Sequence, residues 1–142
     1  MIKNKQLQVG NEVEEAVAKM FKKHGYWAHI MQKSRVGQPV DIVALKGDVP
    51  GWLVDAKHLE KGKKSFPFSR IEANQATTLD YARNFSKIKN LGFVIGLEDD
   101  KTLENDFSKL YFLDYDTYID CLKKEQKSVK IEVLKDFEEQ LV

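Results

Sequence analysis

The chain is poor in the residues and segments on which several classes of protein depend. Its 142 residues include one cysteine, Cys121, so neither an intrachain disulfide nor a cysteine-based zinc site can form. No apolar run approaches the roughly 20 residues that a membrane-spanning helix needs. The N-terminal segment 1–6 lacks the apolar core of a signal peptide. These absences predict a protein of the cytoplasm with no membrane partner.

Several common catalytic patterns are also missing. The sequence has no Gly-rich phosphate loop and no Ser/His/Asp nucleophile pattern, and its three histidines lack the spacing of a zinc site. It contains no internal repeat, low-complexity tract or long linker. We therefore expect no small-molecule cofactor. We also expect one domain over 1–142, with its core at about 8–97 and further strands and helices at 98–142.

Charge is distributed unevenly along the chain. Residues 1–97 hold 16 Lys or Arg and 9 Asp or Glu, a net charge of +7, whereas residues 98–142 hold 7 and 13, a net charge of −6. The basic part suits a partner with a phosphate backbone. Chance segregation in a lysine-rich protein is the alternative explanation.

Apolar periodicity predicts helices and strands in alternation. A helix is expected over 11–24, capped by Asn11 and ended by Gly25, because apolar residues recur there on one face. Ser69 and Glu72 form a capping-box pattern, so a second helix should run from Arg70 to Phe85 with Phe85 inward. Further elements are strands at 26–31, 39–45, 52–57, 91–97, 109–113 and 128–134, and helices at 117–124 and 135–141. The order predicts a mixed sheet flanked by helices, an α/β or α+β fold.

Two aspartates stand in adjacent apolar strands that should pair as an antiparallel hairpin. Asp41 precedes Ile42-Val43-Ala44-Leu45, and Asp55 is followed two residues later by Lys57, on the same side of its strand. Burying such charges is costly unless they are paired or bind a metal. Mg²⁺, for which Mn²⁺ can substitute, takes oxygen ligands of this kind, and the backbone carbonyl of Ala56 could complete the set. Asp41 could instead hydrogen-bond a neighbouring loop, and Asp55 and Lys57 could form an ordinary ion pair.

Glu14 and Gln75 are further candidates for the same site. Glu14 lies at the edge of the apolar stripe of the first helix, where a carboxylate can lean toward a metal on the sheet. It could equally serve only to favour the helix dipole. Gln75 lies on the apolar face of the second helix, where an amide needs a partner. It could hold a water or a phosphate, or bond only to the backbone.

Basic residues flank the aspartate hairpin on both sides. Phosphate contacts need mobile cations of this kind, although a solvated surface explains them equally well. The candidate DNA-binding residues are Lys33, Ser34, Arg35, Lys61, Lys63, Lys64 and Arg70.

The segments Gly10-Asn11-Glu12-Val13-Glu14, Pro39-Val40-Asp41, Asp55-Ala56-Lys57 and the single residue Gln75 together resemble the PD-(D/E)xK nuclease superfamily. Within it, the chain is similar to the Holliday-junction resolvases, both the archaeal type and the RecU type of Gram-positive bacteria and their phages. The likeness covers about residues 8–97. Lys63-Lys64-Ser65-Phe66-Pro67 is similar to the RecU type, and residues 40–45 are similar to the archaeal type.

The resemblance implies a restriction-endonuclease-like fold and a homodimeric, metal-dependent enzyme that cuts the phosphodiester bonds of four-way DNA junctions. Glu14, Asp41 and Asp55 would match the metal ligands of the family, Lys57 its catalytic lysine and Gln75 its helix-borne glutamine. Ser34 and Arg35 would lie near the scissile phosphate.

One feature departs from the RecU pattern. Only residues 32–38 separate the first strand from the aspartate strand, where RecU proteins carry a long projecting segment that engages the junction. Two alternatives to a junction resolvase therefore remain. One is a nuclease of the same core acting on flaps, duplex ends or a specific sequence, and the other is a non-catalytic DNA-binding module.

Overall fold

The structure is a computed structural model that describes residues 2–31, 40–86, 88–103 and 106–142, without the side chains of residues 2–11 and 103. The helices of these ranges are α1 (Ile2–Lys23), α2 (Ala73–Phe85), α3 (Tyr115–Lys123) and α4 (Phe137–Leu141). The strands are β1 (Trp27–Ile30), β2 (Ile42–Lys46), β3 (Val49–Leu59), β4 (Ser65–Pro67), β5 (Asn90–Leu97), β6 (Lys101–Leu103), β7 (Asp106–Phe107), β8 (Leu110–Asp114), β9 (Ser128–Lys130) and β10 (Lys135–Asp136).

Six strands form the central sheet, in the order β1-β2-β3-β5-β8-β10. β3 and β5 run parallel, and the other neighbours run antiparallel. Two small ribbons, β4–β9 and β6–β7, lie outside this sheet. The predicted mixed sheet flanked by helices is confirmed, and so is the hairpin of β2 and β3, with Ile42 opposite Val54 and Ala44 opposite Trp52.

The first helix begins earlier than its sequence pattern indicates. α1 starts at Ile2, so the predicted N-cap at Asn11 is wrong. Residues 3–9 contain good helix formers, and one glycine at position 10 does not stop a helix. The predicted end is correct, because Gly25 has a φ of +85° and the N–H of Tyr26 donates to the carbonyl of Phe21 at 3.0 Å.

The second helix begins one turn later than predicted. Ser69 lies in a short 3₁₀ turn, and the capping box is formed by Glu72 and Gln75 at the start of α2. Glu72-x-x-Gln75 satisfies the same rule as Ser69-x-x-Glu72, so the sequence offers two overlapping signals. Phe85 is 74% exposed, so its predicted inward position is wrong.

Helices cover both faces of the sheet. α1 packs on one face, where Val13, Val17 and Phe21 are fully buried in a cluster that also holds Ile42 and Val54. α2 and α3 contribute to the cluster on the other face, whose members include Leu59, Leu79, Phe93, Ile95 and Tyr118. Within the described residues no helix is long and apolar enough to cross a membrane.

Candidate active site

Asp55 lies in the middle of β3, between two neighbouring strands. Asp55 pairs with Phe93 of β5 in parallel register, and the preceding Val54 pairs with Ile42 of β2. A strand covered by neighbours and helices on both faces is normally apolar. The Asp55 side chain is nevertheless fully buried. Alternation along β3 directs Asp55 and Lys57 to the face covered by α2.

Asp41 comes one residue before β2 and is buried. Its backbone N–H donates to the carbonyl of Val54 at 3.2 Å, and its Oδ2 accepts the N–H of Ala56 at 2.8 Å. The Asp41 carboxylate thus accepts a hydrogen bond from β3 that a backbone carbonyl of a neighbouring strand would otherwise accept. In an extended strand, the N–H and C=O of one residue point toward the same neighbour. The carbonyl of Ala56 therefore points to the side on which Asp41 lies.

The two aspartates are electrostatically coupled. Burial, followed by hydrogen bonding to Asp41 and repulsion from its charge, raises the pKa of Asp55 from 3.8 to about 8, against an opposing effect of Lys57. The Nζ of Lys57 lies 3.1 Å from Oδ2 of Asp55, within ion-pair range. Apart from these contacts with Asp41 and Lys57, neither Asp55 oxygen has a hydrogen-bond partner among the described residues. Asp55 therefore keeps its proton up to about pH 8 unless a cation stabilises its ionised form.

Gln75 fixes the amine of Lys57. The Oε1 of Gln75 accepts a hydrogen bond from Nζ of Lys57 at 2.8 Å and another from the backbone N–H of Glu72 at 3.1 Å. The amide therefore bonds to the backbone, as one sequence interpretation held, and it also bonds to Lys57. Its contact with a water or a phosphate stays a prediction. The start of α2 positions the amine beside Asp55.

Two acids of α1 are buried in the described part of the structure. Glu14 is buried, with 6% of its surface exposed, and Glu12 is buried and forms an ion pair with Lys101. No three Asp, Glu, His or Cys side chains of the described ranges converge as metal ligands. The structure brings together Asp41, Asp55, Lys57 and Gln75, and does not group Glu14 with the two aspartates as a third ligand. No sequence signal identified Lys101 as the partner of Glu12.

This donor set fits a hard divalent cation. Two adjacent carboxylates and a backbone carbonyl are the oxygen ligands that Mg²⁺ takes, with water and substrate filling the other positions. The under-satisfied oxygens of Asp55 are the strongest sign, because buried polar atoms normally have partners. A cation there would also stabilise the ionised form of Asp55.

The basic candidates differ in their surroundings. Lys61, Lys63 and Lys64 are exposed. The guanidinium of Arg70 is half-buried, 5.9 Å from the ring centroid of Phe66 and 3.7 Å from Glu60, so intramolecular contacts fix it. Lys33, Ser34 and Arg35 lie outside the described residues.

Comparison with solved structures identifies the fold. Hjc, a Holliday junction resolvase from the archaeal hyperthermophile Archaeoglobus fulgidus, superposes with a TM-score of 0.64 over 94% of this chain and 100% of that chain, at 17% sequence identity. No protein-family model matches the sequence, and no curated protein is similar to it. The chain has a resolvase-like nuclease fold with a central mixed sheet flanked by helices, as the sequence predicted.

Proposed function

We propose that this chain, with its resolvase-like fold, is a metal-dependent DNA endonuclease that resolves four-way junctions. The observation that carries the proposal is Asp55, a fully buried carboxyl whose pKa is raised to about 8 by burial and by the adjacent Asp41, although the Nζ of Lys57 lies 3.1 Å away. Burying two adjacent carboxyls is costly for a purely structural purpose. A divalent cation bound beside them would stabilise their ionised forms.

Asp41, Asp55 and the backbone carbonyl of Ala56 would hold Mg²⁺, or Mn²⁺ in its place. Glu14 of α1 stays a proposed third acid, although its side chain does not converge with those of Asp41 and Asp55 in the described structure. A divalent cation bound there supplies Lewis-acid stabilisation of the charge that develops on a phosphodiester under attack by water.

Lys57 and Gln75 act from the side of α2. The amine of Lys57 is placed to pair with negative charge on the phosphate, a preorganised electrostatic role. Gln75 holds that amine in place through its 2.8 Å hydrogen bond, so we assign it as a positioning residue. Both side chains are set before substrate arrives, which lowers the cost of ordering them during the reaction.

Symmetric cutting of a junction requires two sites, so we propose a homodimer. Tyr81 and Phe85 support this, because they are 65% and 74% exposed and their rings lie 4.5 Å apart on the outer side of α2. Replacing both with Glu should convert a dimer to a monomer in sedimentation experiments. Leu122→Glu on α3, where the exposed fraction is 42%, is the matched control. A wild-type monomer that cuts junctions symmetrically would refute the dimer.

The test of function is cleavage of a synthetic four-way junction beside a linear duplex of the same arm sequence. Wild type and Asp55→Asn are each assayed with Mg²⁺ and with a chelator. Paired nicks in opposing junction strands, dependent on metal and absent from the variant, are the expected result. Equal cutting of both substrates would leave a nuclease of the same core that acts on flaps, ends or a sequence. DNA binding without cleavage, unchanged by metal, would indicate a non-catalytic binding module.

A further inference from the structure

A groove of about 520 Å³ lies beside the end of β5, and its lining does not include Asp41 or Asp55. Four of its lining residues are lysines that come from three separate parts of the chain. We call it the lysine groove, and these residues are Lys63, Lys64, Lys109 and Lys130. Lys109 and Lys130 belong to the C-terminal third, residues 98–142. That third is rich in acids, so its composition does not predict contact with nucleic acid.

Backbone pairing explains why the lysines converge. β4 and β9 form an antiparallel ribbon in which Ser65 lies opposite Lys130, and the N–H of Ile131 donates to the carbonyl of Lys64 at 2.9 Å. These bonds place Lys130 beside the basic segment that follows β3. The ribbon thus brings cations of the C-terminal third to the candidate DNA-binding loop.

The amines of the groove differ in their partners from the lysines that are fixed by ion pairs. Lys57, Lys101 and Lys135 each form an ion pair with a carboxylate. Within the described ranges, no carboxylate oxygen lies within ion-pair distance of the four groove lysines. These cations are therefore available to an anionic partner without breaking an intramolecular pair.

Two acids also line the groove, Asp99 and Glu132. The Oδ2 of Asp99 accepts the backbone N–H of Gly62 at 3.0 Å, so this carboxylate serves to hold the loop. Tyr111 forms part of the wall, and its hydroxyl donates to Oδ2 of Asp100 at 2.8 Å. The Nζ of Lys109 lies 5.1 Å from the Tyr111 ring centroid, which holds that amine at the groove by a cation–π contact.

We propose that the lysine groove binds the DNA backbone beside the cleavage site, with Lys109 and Lys130 as phosphate contacts. The inference rests on the proposed function and adds residues that sequence reasoning did not assign to DNA. Lys57 of β3 is paired with Ile95 of β5, and Ile95 is paired in turn with Tyr111 of β8. Two strand spacings separate Lys57 from Tyr111, roughly 10 Å, so one duplex can cover both.

The test is the salt dependence of DNA binding, measured by fluorescence anisotropy with a labelled four-way junction in chelator. Each lysine–phosphate contact contributes about 0.9 to the slope of log K against log salt concentration. We expect Lys109→Gln/Lys130→Gln to reduce the slope by about 2. Lys109→Arg/Lys130→Arg should retain the slope. Lys19→Gln/Lys22→Gln is the matched control, because both residues are exposed on α1 at the opposite face of the sheet.

The outcomes separate the groove from the proposed function. A slope that falls only in the groove variant, with an unchanged melting temperature, supports the proposal. An unchanged slope in the groove variant, or an equal fall in the control, overturns it even if the wild type cuts junctions. Failure of the wild type to bind DNA overturns both the groove and the nuclease.

Discussion

The molecule buries acids at two places, and it offsets the cost of burying them in different ways. On α1, Glu12 is paired one to one with Lys101. On β3, Asp55 shares the environment of Asp41, and its pKa is raised to about 8 although the amine of Lys57 lies 3.1 Å away. At the first place a lysine compensates the acid, whereas at the second Asp55 avoids the cost of a buried charge by keeping its proton.

The two places differ in whether protein packing alone explains the buried acid. A one-to-one pair needs nothing further, so the Glu12–Lys101 pair is explained by packing α1 against the rest of the fold. A carboxyl that is held protonated beside a second one is available to a cation, which can displace the proton. Burial alone does not distinguish the site, since the four buried acids of the described residues, Glu12, Glu14, Asp41 and Asp55, share it. The raised pKa of Asp55 does.

The largest expected effect is on catalysis. Asp55→Asn should lower kcat/KM for junction cleavage by on the order of 10³-fold, because it removes a proposed metal ligand while preserving shape. Glu12→Gln is the matched control, a neutral isosteric change at the other buried acid, and should leave the rate close to that of wild type. Steady-state rates with Mg²⁺ measure both. Equal losses in the two variants would remove the distinction between the sites.

The next effect is on stability as pH changes. The pKa of Asp55 is about 8 in the folded chain and near 3.8 when unfolded, so the folded state holds the extra proton between these values. This contribution to stability is complete below the unfolded pKa and is lost as pH rises through about 8. In chelator, the free energy of unfolding of wild type should fall relative to Asp55→Asn by on the order of a few kcal/mol between pH 5 and pH 8.

Metal should reverse this pH effect. Mg²⁺ binds the ionised carboxylate, releases its proton and stabilises the fold by mass action. Thermal melts at pH 8 should therefore show a melting temperature that rises with Mg²⁺ for wild type and stays constant for Asp55→Asn. A rise of the same size in both proteins would place the bound metal elsewhere.

A smaller effect is expected at the positioning residue. Gln75→Ala should reduce kcat about tenfold, because the amine of Lys57 loses its 2.8 Å partner. It should also cost about 1 kcal/mol through the lost helix cap. Gln75→Glu keeps an acceptor oxygen and should therefore retain most of the kcat and most of the stability. Asn74→Ala, on the exposed side of the same turn, is the control, and a kcat that falls equally there would assign the loss to α2 as a whole.

Local patterns in the sequence predicted the hairpin and the placement of its aspartates. A period of two residues fixes which side chains share a face, and this put Asp55 and Lys57 together without knowledge of the fold. The amphipathic stripe likewise placed Val13 and Val17 in the core. Overlapping local signals gave the errors, since Glu72 and Gln75 form the capping box that Ser69 and Glu72 also match.

Contacts between distant parts of the chain could not be predicted in this way. The partner of Glu12 is 89 residues away, and Lys130 reaches the basic loop only through the pairing of β4 with β9. No periodicity encodes either contact, because each depends on how the whole sheet is assembled. The composition of residues 98–142 hides the position of Lys130 for the same reason, because it averages all the acids and lysines of that segment.

The smallest net effect should come from replacing the structural pair as a whole. Lys101→Met leaves the carboxylate of Glu12, 7% exposed, without its partner and should cost about 3 kcal/mol. Glu12→Leu should cost less, because the side chain of Lys101 is 25% exposed and its amine can turn to water. In the double variant the two apolar side chains can pack together, so stability should return close to that of wild type.

Chemical denaturation of the four proteins gives the coupling energy between positions 12 and 101 directly. The same double replacement should leave the Mg²⁺-induced rise in melting temperature intact, since the pair neutralises itself. Were that rise lost along with the pair, Glu12 would belong to the metal site, and the contrast between a lysine-paired acid and a protonated one would no longer hold. A preserved rise would leave the coupled carboxyls of Asp41 and Asp55 as the feature that distinguishes the candidate active site from the other buried acids of the described residues.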